Sequence, residues 1–362
     1  MASVKEEQFQ EPDRYPGTLH PREQSILIGH EHAEQAVIES LKQKRFHHAW
    51  LISGKEGVGK ATFAYRIARY LLDVPLKDLQ NTYSLEVTPE SFAARQVEAL
   101  SHPNLCVLRR GQSQDGKVSS IISVEAARKA LSLFESTAVG EHYRICIVDS
   151  ADDLNIASAN ALLKMIEEPP PNSLFLLISH APHRLLPTIR SRCRKLAFKP
   201  LSTTEMRDVI LSLGEPWIST EPEKMEQAIH NGEGSVKLTL SMLEAGNLAL
   251  VQSVEKILSS LPSKDDRAIL ALAETLSRRD NENQTNLVFD TLQLWLSHKI
   301  SELVTRPEKQ QFLLSNCVSL GESIEKAVQD IQTATLYNLD RRPVFLNLFD
   351  ELANTIKKNS VP

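Results

Sequence analysis

The chain has 362 residues, 41% hydrophobic and 24% charged, with a formal net charge of -5 at pH 7. That length suggests two or three domains with ample chain for a buried core, and the composition is that of an ordinary soluble protein. The charge excludes a protein that coats nucleic acid by electrostatics alone, while leaving room for local contacts within an assembly.

No apolar run approaches the roughly 20 residues of a membrane span. Residues 1–24 are polar and Glu/Pro-rich, without the apolar centre of a secretory signal. They are expected to form a disordered tail, and the compartment to be cytoplasmic. Cys106, Cys146, Cys193 and Cys317 are scattered without a C-x-x-C pair, so no disulfide and no thiolate zinc site is expected.

The first expected strand, His48 to Ile52, ends at Ser53-Gly54. After it comes Gly54-Lys-Glu-Gly57-Val-Gly59-Lys60-Ala61-Thr62, a phosphate-binding pattern with one residue out of place. Glycines let backbone N–H groups turn toward phosphate oxygens, and the next helix presents its positive end to the anion. Lys60 would reach the terminal phosphates, while a Ser or Thr at position 61 would hold Mg²⁺. Ala61 has no oxygen to offer. Thr62 lies about 100° further around the helix and does not replace it. Ala64, Ile67, Ala68 and Leu71 give that helix its apolar face.

A loop-rich stretch over 73–104 leads to a second strand, Leu105 to Leu108, and Ile121 to Phe134 reads as a turn and a helix. Arg144 to Asp149 is the clearest strand, β-branched-rich and ending in a carboxylate. Asn155 is placed to cap a helix with Ile156, Ala159, Leu163 and Ile166 on its face, and Pro169-Pro170-Pro171 stops it. Leu174 to Ile178 is another wholly apolar strand. Apolar strands alternating with helices indicate a parallel sheet covered on both sides. Within Leu186 to Cys193 a Ser-Arg-Cys turn follows a short helix and precedes a strand at Lys195 to Phe198. Beyond residue 200 only helices are expected, with a Gly-rich joint at Gly232 to Lys237 and a hinge near Pro262.

Asp149 ends a central strand, where open α/β sheets place ligand contacts. A working ATPase would carry a second acid beside it, but position 150 is Ser. The alternative is that Asp149 merely caps the following turn. Two defects in one site make hydrolysis there an unfavourable reading, although Lys60 and the glycines leave weak ATP or ADP binding open. Arg190, Arg192 and Arg194 alternate through the Ser-Arg-Cys turn. They read either as a solvated basic loop or as the source of an arginine inserted into a neighbour's ATP site, where a guanidinium contributes about 10³–10⁵ in rate.

Several segments together resemble the AAA+ clamp-loader family of bacterial DNA polymerase III, and within it the delta-prime subunits. They are Leu27-Ile-Gly-His30, His47 to Leu51, Gly54 to Lys60, Asn160-Ala-Leu-Leu-Lys164-Met-Ile-Glu-Glu-Pro169-Pro170, Thr188 to Cys193, and Tyr337 to Arg342. The resemblance runs over roughly 25–355. It implies an AAA+ P-loop α/β domain with a central parallel sheet (25–199), a small helical lid (200–249) and an all-helical collar used for oligomerisation (250–362).

The resemblance also implies roles. Arg192 would be an arginine finger in trans, Lys237 would stand where an active relative has a sensor arginine, and Ser179-His180 would lie at the first sensor. Gly54, Gly57, Gly59, Lys60, Thr62, Asp149 and Lys237 would form an altered nucleotide site. No cofactor would be required. Many relatives carry a four-cysteine zinc module, but residues 73–101 contain no Cys, so no zinc is expected. Implied partners are gamma/tau motor and delta subunits, the sliding clamp, and primed DNA in the assembled complex. The leading reading is a non-hydrolysing stator subunit, not itself an enzyme. The alternative is an ATP-hydrolysing motor subunit, against which Ala61, Ser150 and Lys237 all count.

Overall fold

The structure, a computed structural model, describes residues 11, 13–111, 119–135, 139–278, 281–304 and 310–358. After α1 (Glu31–Lys42) come β1 (Ala49–Ser53), α2 (Lys60–Asp73), α3 (Phe92–Glu98), β2 (Leu105–Arg109) and α4 (Val124–Leu131). The alternation continues with β3 (Arg144–Asp149), α5 (Ile156–Glu167), β4 (Ser173–Ser179), α6 (Pro187–Arg192) and β5 (Arg194–Ala197). The strands form one sheet in the order β2-β3-β4-β1-β5, every neighbouring pair parallel.

Alternate residues of each strand feed two cores, as the pleat's period of two dictates. On one face Trp50, Ile52, Ile145, Ile147, Leu174 and Leu176 pack with α1 and α2. On the other, Leu51, Cys146, Val148, Phe175 and Leu177 pack with α4, α5 and α6. Both sets are apolar, which is why the strands read as unbroken hydrophobic runs. Burying each large side chain contributes about 1.5–3 kcal/mol, so the sheet is fixed from both sides. This is the expected α/β architecture with a central parallel sheet, and all strand C-termini lie along one edge.

Local chemistry sets the helix starts. Asn155 Oδ1 accepts the Ser158 N–H at 2.8 Å, capping α5 as expected. Its buried face differs slightly: Ala159, Leu162 and Ile166 point inward, while Ile156 is 74% exposed. The i, i+3, i+7 stripe begins one turn later than the apolar residues alone suggest. A further helix, α7 (Thr203–Leu213), opens with a capping box made by Ser202 and Glu205.

The chain divides into two compact units, Met1–Ser219 with Glu233–Lys237, and Thr220–Gly232 with Leu238–Pro362. The stretch 200–249, read as a lid from sequence, is therefore shared between them. The remaining helices are α8 (Pro222–Gly232), α9 (Val236–Leu243), α10 (Asn247–Ser260), α11 (Asp266–Leu276), α12 (Glu282–Val304), α13 (Gln310–Leu336) and α14 (Arg342–Lys358). No strand occurs beyond residue 200 among the described residues. The expected hinge near Pro262 is a turn inside the second unit. Val254, Ile257 and Leu258 before it share one core with Ile269, Leu272, Phe345 and Phe349 after it. A Ser/Pro run marks a break in helix but says nothing of which side chains meet across it.

The reading of 1–24 as a disordered tail also needs correction where that segment is described; residues 1–10 and 12 lie outside the described residues. Asp13 Oδ1 pairs with Arg109 Nη1 at 2.7 Å, and Glu11 Oε1 with Arg109 Nη2 at 2.9 Å. His20 is fully buried and its Nε2 lies 3.1 Å from Asp13 Oδ2. From α2, Arg69 donates to the Arg22 carbonyl (2.7 Å) and Arg66 to that of Ser25 (3.1 Å). A polar composition does not imply disorder when its charges find buried partners elsewhere in the chain. Arg109→Ala should therefore speed tryptic cleavage after Arg14 in the native protein several-fold. An unchanged rate would show that the Arg109 pairs do not hold this segment.

Candidate nucleotide cleft and basic turn

The glycine loop joins β1 to α2 at the C-terminal edge of the sheet. Gly57 has φ of 75°, a region open to Gly but strained for other residues. A Cβ there would also lie 2.6 Å from Lys237 Cβ and 2.7 Å from Lys237 N. Gly59, with φ of 93°, starts α2. At Gly54 a Cβ would meet the Phe198 carbonyl oxygen at 2.6 Å, so β5 backs the loop closely.

Polar contacts fasten the loop to the Glu233–Lys237 turn of the same unit. Val236 N–H donates to the Gly57 carbonyl and Ser235 Oγ to that of Glu56, both at 2.8 Å. Lys237 Nζ reaches Glu56 Oε1 at 2.7 Å, and Lys55 Nζ reaches Glu233 Oε2 at 2.9 Å. Lys60 is buried, and its ammonium donates to the carbonyls of Gly54 (2.8 Å) and Lys55. Burial pulls the Lys60 pKa down to about 8, against the attraction of Glu56, Asp149 and Asp152. The methyl of Ala61 packs against the α1/α2 core. Thr62 stands half-buried in the same turn.

Asp149 ends β3 on this edge. Burial, reinforced by the charge of Asp13, pushes its pKa up to about 7 despite Lys60. Ser150 Oγ donates to Asp153 Oδ2 at 3.1 Å. Asp152 Oδ1 accepts from Ser179 Oγ at 2.8 Å, and its other oxygen from the His180 N–H at 2.6 Å. The Ser179–His180 segment is thus tied to the loop after β3. Gly54, Gly57, Gly59, Lys60, Asp149 and Lys237 are brought to one edge. Glu56 and Asp152 were missed: Glu56 occupies a variable loop position, and Asp152 lies three residues past the expected acid. The proximity of Asp152 to Asp149 was the available signal for it.

The basic turn is separate. Arg192 ends α6 and is 41% exposed, with Nη2 held 2.9 Å from Glu167 Oε1 and Nη1 donating to the Thr188 carbonyl at 3.1 Å. Arg194 instead donates to Ser40 Oγ at 2.9 Å, and its guanidinium lies 4.6 Å above the Trp50 ring. Arg190 is half-buried. Arg192 and Arg194 are both exposed with their guanidiniums held, Arg192 by Glu167 on α5 and Arg194 by Ser40 on α1.

Comparison with known proteins gives the following. Among solved structures, a DNA polymerase III gamma subunit-related protein of Thermotoga maritima matches with a TM-score of 0.36 at 17% identity, over 88% of this chain and 99% of that one. The sequence family described as "DNA polymerase III, delta subunit" matches residues 29–202. DNA polymerase III subunit tau of Escherichia coli is 28% identical over 276 residues, 74% of this chain and 40% of that relative. DNA polymerase III subunit delta' of Bacillus subtilis is 30% identical over 179 residues, 48% of this chain and 49% of that relative. The chain thus spans about half or less of the length of these relatives.

The sheet order and the glycine loop at its C-terminal edge define a P-loop α/β fold. Over residues 29–202 the chain is similar to the family described as "DNA polymerase III, delta subunit", and its relatives include delta' and tau subunits of bacterial DNA polymerase III.

The cleft's electrostatics carry a pH signature. With its pKa raised from 3.8 to about 7, Asp149 binds a proton more tightly folded than unfolded. Its contribution to stability is full below pH 4 and is lost as pH rises through 7. Asp149→Asn should therefore stabilise the protein at pH 8, by about 1–3 kcal/mol, with the gain vanishing toward pH 4. Denaturant melts at the two pH values check this; an equal effect at both would exclude the shift.

Proposed function

We propose that this chain is a non-hydrolysing, delta-prime-like stator subunit of the clamp loader, assembling with motor (gamma/tau) and delta subunits in the cytoplasm to load a sliding clamp onto primed DNA. The observation that carries the reading is the state of Lys60, whose ammonium is bound to the carbonyls of its own loop. Three sequence features join it. Position 61 offers a methyl where Mg²⁺ needs an oxygen, position 150 offers a hydroxyl where a second acid belongs, and Lys237 is a point charge where a planar fork would clamp phosphate. The reading requires neither zinc nor nucleotide in this chain.

On this reading Arg192 is offered to ATP held by a neighbouring motor subunit, where its guanidinium stabilises charge on the transferred phosphoryl group. Glu167 holds that guanidinium in place at the surface, so less side-chain freedom is lost when it engages a partner. Among the described residues no helix is long and apolar enough to cross a membrane. Contact with primed DNA would run through backbone amides and basic side chains in the assembled ring, without sequence preference.

The test is DNA- and clamp-stimulated ATPase of the reconstituted loader, wild type against Arg192→Ala, with equal assembly verified. Hydrolysis at the site served by Arg192 should fall by about 10³–10⁵, lowering total turnover by that site's share. Unchanged turnover would reduce the turn to a solvated loop. Ala61→Ser alone should leave the isolated chain without ATPase, because Ser150 and Lys237 remain; strong steady-state turnover in that variant would support the motor reading instead.

A further inference from the structure

The loop fills its own anion site. Glu56 follows Lys55 in the glycine loop, at a position where the phosphate-binding pattern sets no residue type. Its carboxylate reaches across to Lys237, 2.7 Å away. Two backbone contacts fix its place: the Glu56 carbonyl accepts from Ser235 Oγ and the next carbonyl, that of Gly57, from Val236 N–H. Close packing of Gly57 on the Lys237 backbone keeps the two segments together. The cleft walls tend to raise the pKa of Glu56, yet Lys237, then His180 and Lys60, hold it below the usual carboxylate range. Conversely, burial and Lys60 lower His180, while Glu56 and Asp152 pull it back up. One carboxylate is therefore paired with Lys237, the second-sensor position, and feels the charges of Lys60 in the loop and His180 in the first-sensor segment.

Those three groups are the ones a nucleotide's terminal phosphates would engage. We propose that Glu56 is an internal phosphate mimic, its carboxylate held in cis by Lys237 where a nucleoside di- or triphosphate would place an anion, so that the cleft is closed by the loop itself. Both partners are about half exposed, and an exposed ion pair adds little to folding stability. Its effect is occupancy. A phosphate entering the cleft would have to displace the carboxylate from Lys237 and face its repulsion at short range. The proposal rests on the reading of the loop as a phosphate cradle and is independent of any role for Arg192.

The experiment is calorimetric titration of the full-length chain alone with ADP at pH 7.5, comparing wild type, Glu56→Gln and the double variant Glu56→Gln/Lys60→Ala. Glu56→Gln should bind ADP at least tenfold tighter than wild type, about 1.4 kcal/mol, and the double variant should return to the wild-type value. Equal affinity of wild type and Glu56→Gln, including no detectable binding by either, would overturn the proposal. So would a gain that survives removal of the Lys60 ammonium, because the ADP would then sit elsewhere. Circular dichroism verifies folding, and Glu56→Ala repeats the test should the Gln variant fail to fold. No partner subunit is present, so the result is separable from the fate of Arg192 in the loader.

Discussion

A parallel sheet buried on both faces sends every strand toward the same edge, and the rest of this structure depends on that constraint. The backbone ladder can be continued only by crossovers, and the crossovers are helices that cover the faces. What remains uncovered is the line of strand C-termini, where Ser53, Arg109, Asp149, Ser179 and Ala197 end their strands. Four of the turns leaving this edge meet there: the glycine loop after β1, the acidic turn after β3, the Ser179–His180 segment after β4 and the Phe198 contact after β5. The hydrophobic cores on the two faces hold these turns in register with one another, so modest side chains acquire defined partners.

At that edge, charges and donors are largely matched within the chain. Lys60 is matched by loop carbonyls, Ser179 by Asp152, Lys237 by Glu56, and Arg109 by Glu11 and Asp13. Buried polar groups must be satisfied by something, since leaving one unpaired costs about 1–3 kcal/mol. In a nucleotide-binding relative of this architecture the ligand and its metal could meet part of that demand. Here carbonyls and carboxylates of the chain meet it. Asp149 shows the strain of the arrangement: it is flanked by Asp13 and Asp153, and its proton is held up to about pH 7.

Much of this architecture was legible in the sequence because apolar runs of strand length, bounded by Gly, Asn and Pro, leave few alternatives. Ile145 to Val148 and Leu174 to Ile178 could only be strands buried on both sides, and Asn155 announced α5 through a local hydrogen bond. What was not legible depends on partners distant in sequence. Residues 13–24 look like tail until Arg66, Arg69 and Arg109 are placed around them. Pro262 looks like a hinge until Val254 and Phe349 are seen to share a core. Glu56 looks like an idle loop position until the fold carries Lys237 back across half the chain. Composition and periodicity report what each segment can do alone, and these contacts are not made alone.

The two faces of the sheet also explain how a nucleotide cleft could lose its function without disturbing the basic turn. Helix α2, which carries Lys60 and Ala61, is packed on the face with Trp50, Ile52 and Ile147. Helix α6, which carries Arg192, is anchored by Leu185, Ile189 and Cys193 in the opposite core, with Ala127, Leu162 and Val148. Substitutions around the glycine loop alter packing on one side of the sheet, while the Glu167–Arg192 pair is set by α5 and α6 on the other. A chain built this way can give up metal and phosphate contacts in its own cleft and still present a fixed guanidinium. On the proposed reading, that separation on opposite faces would make an inactive cleft and an arginine offered in trans compatible in one molecule.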